Sequence, residues 1–226
     1  GRELRLRQQY FFVSASLQDL LATHLAEGRA LADLPTSVAI QLNDTHPTLA
    51  IPELLRLLVD EHDLDWAPAW DITRRVFSYT NHTLLPEALE SWPVALFERL
   101  LPRHLQIIYL INRDFLAAAT RRFPDDHGRF QRLSIIDESA GRQVRMSHLA
   151  VVGSHRVNGV AKLHSELMTR TIFADLAEMF PGRFTNVTNG IAVRRWLKQS
   201  NPLLAALISE RLGHAWENDL DELARL

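Results

Sequence analysis

Apolar positions in this chain recur in two rhythms. Between Arg2 and Leu25, the residues Leu4, Tyr10, Phe11, Val13, Leu17, Leu20 and Leu21 recur at helical spacing. Leu105, Ile108, Ile111 and Phe115 do the same between Pro102 and Phe123. Ile51 to Leu64 reads as an amphipathic helix opened by Pro52, about Val157 to Thr169 as another, and Asp219 to Leu226 is helical in pattern. Shorter apolar runs read as strands: Val38 to Leu42, Arg75 to Tyr79 and Leu149 to Val152. Leu133–Ile136 and Gln143–Met146 flank a turn containing Gly141 and predict a hairpin. Strands interleaved with helices predict an α/β architecture with a partly parallel sheet.

Three of the strand candidates run into polar clusters: Asn43-Asp-Thr-His-Pro47, Thr80-Asn-His-Thr83, and Gly153-Ser-His-Arg-Val-Asn-Gly159. In open α/β sheets the ligand crevice lies beyond the carboxyl ends of the strands. Parallel neighbouring strands would therefore line one crevice with Asp44, His46, Asn81, His82, Glu87, His155 and Asn158. Amides, imidazoles and a few carboxylates offer both donors and acceptors, which suits a ligand rich in hydroxyl groups. Capping by Asp44 or Thr45 of the helix after Pro47 is the structural alternative at that cluster, as is capping of a turn by Thr83. His104, in an apolar helical pattern, reads as a packed core residue; His24, His62, His127 and His214 read as surface residues.

Composition narrows the chemistry. The 226 residues hold 25 Lys plus Arg against 27 Asp plus Glu, so no basic surplus points to nucleic acid. There is no cysteine, which removes disulfides, thiol catalysis and thiolate metal sites. No apolar run is long enough for a membrane span, and the expected setting is cytoplasmic. Gly153, Gly159 and Gly190 form no dinucleotide-binding loop. Asp44, His46 and His82 lack a metal-ligand spacing, and no metal is expected. Lys162 and Lys198 are the only lysines, so a cofactor held as a Schiff base would have two possible attachment points.

Read together, several stretches resemble the α-glucan (glycogen, starch and maltodextrin) phosphorylases. They are Gln41-Leu-Asn-Asp-Thr-His-Pro47, Tyr79-Thr-Asn-His-Thr-Leu-Leu-Pro-Glu-Ala-Leu-Glu90, Leu101-Pro-Arg-His-Leu-Gln-Ile-Ile-Tyr109, Val157-Asn-Gly-Val-Ala161, Thr188-Asn-Gly-Ile191 and Arg194-Arg-Trp-Leu197. The likeness runs in order over essentially the whole chain. Ser134–Ser139 and Pro181–Gly190 look most like the bacterial maltodextrin type. The resemblance implies a GT-B-like fold of two Rossmann-like halves and reversible phosphorolysis of a terminal α-1,4 glucosidic bond to glucose 1-phosphate. It implies pyridoxal phosphate, whose 5′-phosphate takes part in proton transfer. It also implies the partners α-1,4-glucan and inorganic phosphate, with no nucleic acid or membrane, and a homodimeric parent.

Carried over by motif, His82 becomes the catalytic contact. Its side chain lies near the 6-hydroxyl of the transferred glucosyl unit, and its backbone carbonyl near the reacting carbon, where it would face developing positive charge. Asn158 shares the 6-hydroxyl, and Asp44, His46 and Glu87 line the path of the remaining glucan. Residues 1–153 would be the late part of the N-terminal half, and 154–226 the start of the C-terminal half. Neither lysine sits in the family's cofactor motif, and both ends interrupt helical patterns, so the chain is expected to be an internal fragment, inactive alone and prone to self-association. It departs from the family in having Ala192-Val193 where Thr-Pro is usual. Gln106 and Asn112 match the glucan storage site of animal enzymes, whereas Arg113 replaces a glutamine. Two other readings are a glycoside hydrolase using Asp44 and Glu87, which would need carboxyl groups about 5–5.5 Å apart for retention or about 6.5–9.5 Å for inversion, and a non-catalytic glucan-binding module.

Overall fold

A computed structural model describes residues 1–139 and 141–226, in two compact units, Gly1–Val187 and Thr188–Leu226. The first unit opens with α1 (Arg2–Ala26) and α2 (Leu34–Ser37), then β1 (Ile40–Asn43), α3 (Ala50–Arg56), α4 (Trp66–Val76) and β2 (Phe77–Thr80). Next come β3 (Ser91–Pro93), α5 (Val94–Leu100), α6 (Pro102–Arg122), α7 (His127–Leu133), β4 (Ile136–Asp137) and β5 (Gln143–Arg145). It closes with α8 (Met146–Val152), β6 (Arg156–Gly159), α9 (Lys162–Arg170), α10 (Ala174–Met179) and β7 (Phe184–Asn186). β1, β2, β6 and β7 form a wholly parallel sheet in that order, while β3, β5 and β4 form a small antiparallel sheet. This is the α/β class expected of a GT-B-like fragment.

The parallel sheet is sealed by its own apolar side chains. Leu42, Phe77, Tyr79 and Val157 are fully buried, and they share one core with Leu6, Val13, Leu17 and Leu21 of α1 and with Ile107, Ile108 and Ile111 of α6. In the second unit, α11 (Pro202–Leu212) is capped by Asn201, which accepts from the Leu204 N–H. It packs Ala205 and Ile208 on Trp216.

Three expectations change. Leu149–Val152 is the end of helix α8, buried on nearly every side, because a short apolar run cannot be assigned by periodicity alone. Val157 lies in strand β6, and the following helix begins only at Lys162. Arg75 and Val76 belong to α4, whose buried stripe of Ala69, Ile72, Thr73 and Val76 runs straight into β2. Gly153 explains how α8 closes on α3: a Cβ there would meet the Ile51 side chain at 2.5 Å. The expected division at 153/154 lies inside the first compact unit, where β6 pairs with β2.

Among the histidines, His104 is buried as expected and His214 is exposed. His62 is only partly exposed, and the side chain of His127 lies outside the described residues. His24 corrects the expectation of a surface residue: it is 3% exposed, with Nε2 bonded to the Ala30 carbonyl at 2.9 Å and Nδ1 near the Ser37 hydroxyl at 3.3 Å. It folds the connection after α1 back onto the helix.

One ionic knot joins three helices. Glu53 of α3 is fully buried and accepts from Ser14 Oγ of α1 at 2.7 Å, from Arg56 Nε at 2.9 Å and from His104 Nε2 of α6 at 2.6 Å. Burial pushes this carboxyl up, but the bonds from His104, Arg56 and Ser14 outweigh it and hold the group at about 2, below its ordinary 4.5. Removing one partner of a buried ion pair strands the others, so Glu53→Ala is expected to cost about 3–5 kcal/mol in urea unfolding. A lowered folded-state value means that the contribution is complete above about pH 4.5 and fades as pH falls towards 2. Glu53→Gln is expected to flatten that acid limb of the stability profile.

Candidate functional site at the carboxyl ends of the sheet

Parallel pairing sets Asn43 beside Thr80 and Thr80 beside Asn158. The polar segments that follow these strands therefore leave from one end of the sheet. Asp44 makes the first turn in a left-handed conformation (φ 73°), which aspartate tolerates better than most residues. Its N–H donates to the Thr80 carbonyl at 3.0 Å, and its carboxylate accepts from the Thr45 N–H at 2.6 Å. One Asp44 oxygen is thus committed to shaping the turn. His82 is exposed and its Nε2 lies 2.6 Å from Asn43 Oδ1. Asn158 Oδ1 accepts from Thr80 Oγ1 at 2.8 Å and from Gln41 Nε2 at 3.3 Å.

Two expected lining residues lie elsewhere. Asn81 is fully buried: its N–H donates to the Asn158 carbonyl and its Nδ2 to the Tyr79 phenol oxygen, so it serves the sheet. His155 precedes β6, and its N–H donates to the carbonyl of Phe77, the first residue of β2. That places it at the opposite, amino end of the sheet. The strand here starts after His155, so the polar run Gly153–Gly159 is divided between both ends.

His46 and Glu87 do come together, in a recess of about 320 Å³ shared with Arg2, Arg5, Glu90 and Trp92. Glu87 is exposed on the turn Pro86–Ala88. The carboxylate that His46 meets is Glu90, at 3.3 Å, and Glu90 also takes Gln9 Nε2 at 3.0 Å. Glu90 was therefore missed although it closes a recognised motif; its signal was its position one turn beyond Glu87, at the entry to β3. Gln41, Asn43 and Thr80 were missed as well. Their signal was strand alternation, which puts Gln41 and Asn43 on one face of β1.

Close backbone approach builds the far wall. A Cβ on Gly159 would overlap Ser165 Oγ and meet His164 Nδ1 at 2.5 Å, so only glycine lets β6 lie this near α9. His164 Nδ1 accepts from the Val160 N–H at 3.3 Å. Burial, then the nearby His82, holds the His164 imidazole below its ordinary range. A cleft of about 780 Å³ lies apart from these residues, between α6, α7 and the hairpin. Asn112 borders it, but its amide is occupied by Ser134 Oγ and the Ile135 N–H.

A parallel sheet whose strands end in amides, a hydroxyl and an imidazole is an α/β arrangement that offers both donors and acceptors at the end where such folds place ligands. The family model for carbohydrate phosphorylases matches residues 1–226, and the chain belongs to that family. It is 58% identical over 228 residues to a glycogen phosphorylase of Saccharomyces cerevisiae and 54% over 226 residues to one of a Synechocystis species. It is 53% identical over 234 residues to the human muscle form of glycogen phosphorylase. Each match covers the whole chain but only 25%, 27% and 28% of the respective relative, so the chain spans about a quarter of their length. These relatives support the family; they do not single out the maltodextrin type.

Overpacking at the wall is directly testable. Gly159→Ala is expected to lower stability by about 1–3 kcal/mol. Gly190→Ala, where a Cβ meets nothing within 4 Å, is expected to stay within about 0.5 kcal/mol in the same denaturation series.

Proposed function

We propose that this chain is the glucan-facing portion of an α-1,4-glucan phosphorylase, the enzyme that transfers a terminal glucosyl unit from glycogen or maltodextrin to phosphate. The observation that carries the reading is the family match over all 226 residues, together with the convergence of His82 and Asn158 at one sheet end. In this reading His82 is the catalytic contact with the transferred glucosyl unit. Its backbone carbonyl faces the reacting carbon, where a fixed dipole stabilises developing positive charge without reorganising. Asn158 binds the same unit, while Asp44, His46 and Glu87 border the following sugars. Residues 1–153 then belong to the late N-terminal half and 154–226 to the start of the C-terminal half.

Pyridoxal phosphate supplies acid–base chemistry through its phosphate in this activity, and the residues present do not fit its attachment. Lys198 Nζ is ion-paired with Glu217 at 2.6 Å, and Lys162 is exposed at the start of α9. We assign the cofactor, and with it turnover, to residues outside these 226. No described helix is long and apolar enough to cross a membrane; a cytoplasmic setting and a homodimeric parent complete the reading. Phe11 and Phe12 are 76% and 70% exposed on α1, and Leu203 is 84% exposed on α11, which favours self-association of the isolated chain.

Titration calorimetry with maltoheptaose is expected to detect binding that His82→Ala weakens by about tenfold. The same preparation, with phosphate and maltoheptaose, is expected to yield no glucose 1-phosphate. Dilution heat alone would remove the glucan-facing role, and product formation would overturn the assignment of turnover to other residues.

A further inference from the structure

The amino end of the parallel sheet, opposite the candidate site, gathers positive charge. Strand β6 begins at Arg156, and the Val157 N–H donates to the carbonyl of Arg183, the residue before β7, at 3.0 Å. Helix α4 ends there too, with Arg74 and Arg75 in its last turn; one carboxylate, Asp71, faces them at 3.7 and 3.4 Å. A recess of about 490 Å³ opens between His155, Arg156 and the segment Met179–Arg183, and no described carboxylate lines it. Gly182 turns in the left-handed region (φ 76°), and its carbonyl accepts from Arg156 Nη1.

Arg183 stands apart from the other partly buried arginines. Arg56, Arg74, Arg103, Arg129 and Arg145 each meet a carboxylate within 4 Å. Among the described residues Arg183 meets none, and its Nε and Nη2 have no acceptor. Its Nη1 donates to the Val151 carbonyl at 2.9 Å, and the guanidinium lies 3.6 Å from the centroid of the Phe180 ring. These contacts hold the fork in place without neutralising it. Burial, and then the nearby Arg74, pushes the guanidinium down to about 10. A partly buried cation without a counter-charge is stabilised by an anion that reaches it.

We propose that this recess is an oxyanion site in which Arg183 anchors a phosphate group, free or carried by a small organic molecule, with Arg156 as the second charge. Two guanidinium groups on one recess suit a dianion better than a single carboxylate. Met179, Phe180 and Pro181 complete the lining and give an ester's organic part an apolar wall. The site is independent of the glucan reading, because it lies at the other end of the sheet.

Arginine Nε–H signals in ¹⁵N spectra of the 226-residue chain test this. Inorganic phosphate and, separately, phenyl phosphate are added at an ionic strength held constant with potassium chloride. Both are expected to shift the Arg183 and Arg156 signals saturably; tighter phenyl phosphate binding assigns the site to an ester, equal binding to free phosphate. Arg183→Lys keeps the charge but loses the fork, and is expected to weaken phosphate at least about tenfold. Arg156→Gln, at an exposed position, is expected to keep the wild-type urea midpoint and weaken phosphate about threefold. If Arg183→Lys does not fold, Arg156→Gln decides alone. Saturation by acetate at the same concentrations, shifts reproduced by potassium chloride, or unchanged phosphate affinity in the folded variants overturns the proposal.

Discussion

Glu53 brings an ionised carboxylate into the middle of the first unit, and the geometry of the sheet end follows from how that charge is satisfied. A lone buried carboxylate would be expelled or neutralised. Here three helices each supply a donor: Ser14 from α1, Arg56 from α3 itself and His104 from α6. The arrangement fixes rotation as well as distance, because Arg56 must also reach Glu61 at 2.8 Å. Helix α3 begins at Ala50, two residues after the Asp44–Pro47 segment, so its seat bears on where β1 ends. An apolar residue at position 53 could fill the volume, but it would not specify the angle of α3 so narrowly.

The same logic repeats on a smaller scale elsewhere. Arg145 Nη1 gathers the carbonyls of Gln131, Arg132 and Ser134, and its Nη2 pairs with Asp137 at 2.9 Å. It thereby closes the last turn of α7 and ties it to the hairpin. Asp137 answers with bonds from the Ser139 hydroxyl and N–H, which together with Arg145 hold its carboxyl down at about 2. Arg183 does likewise at the end of α8, donating to the Val151 carbonyl at 2.9 Å, so order in one segment depends on the arrival of another.

That dependence explains what the sequence revealed. Helices α1 and α6 were legible because their apolar stripes recur over many turns, and the parallel sheet followed from strands alternating with helices. Residues 149–152 were not, since a seven-residue helix buried on nearly every side carries no amphipathic signature. At the site, His82 and Asn158 were recognisable as polar residues after apolar runs. Asn81 looked identical in sequence, yet its amide turns inward to the Tyr79 phenol. His155 fell on the wrong side because the start of β6 is set by its neighbours, through the bond to the Phe77 carbonyl. Glu90 closes a motif visible in the sequence, but its contacts with His46 and Gln9, distant in the chain, emerge only once those segments are placed.

The junction between α4 and β2 has a consequence of its own. Helix gives way to strand between Val76 and Phe77 with no connecting residue. A strand reverses its faces at every position, so one inserted residue there would turn Tyr79 out of the core and Thr80 into it. A loop would absorb such an error; this junction has no slack. The position of His82 is therefore indexed by counting from helix α4, and the spacing between Val76 and His82 sets where its side chain lies as firmly as the identity of any residue within it.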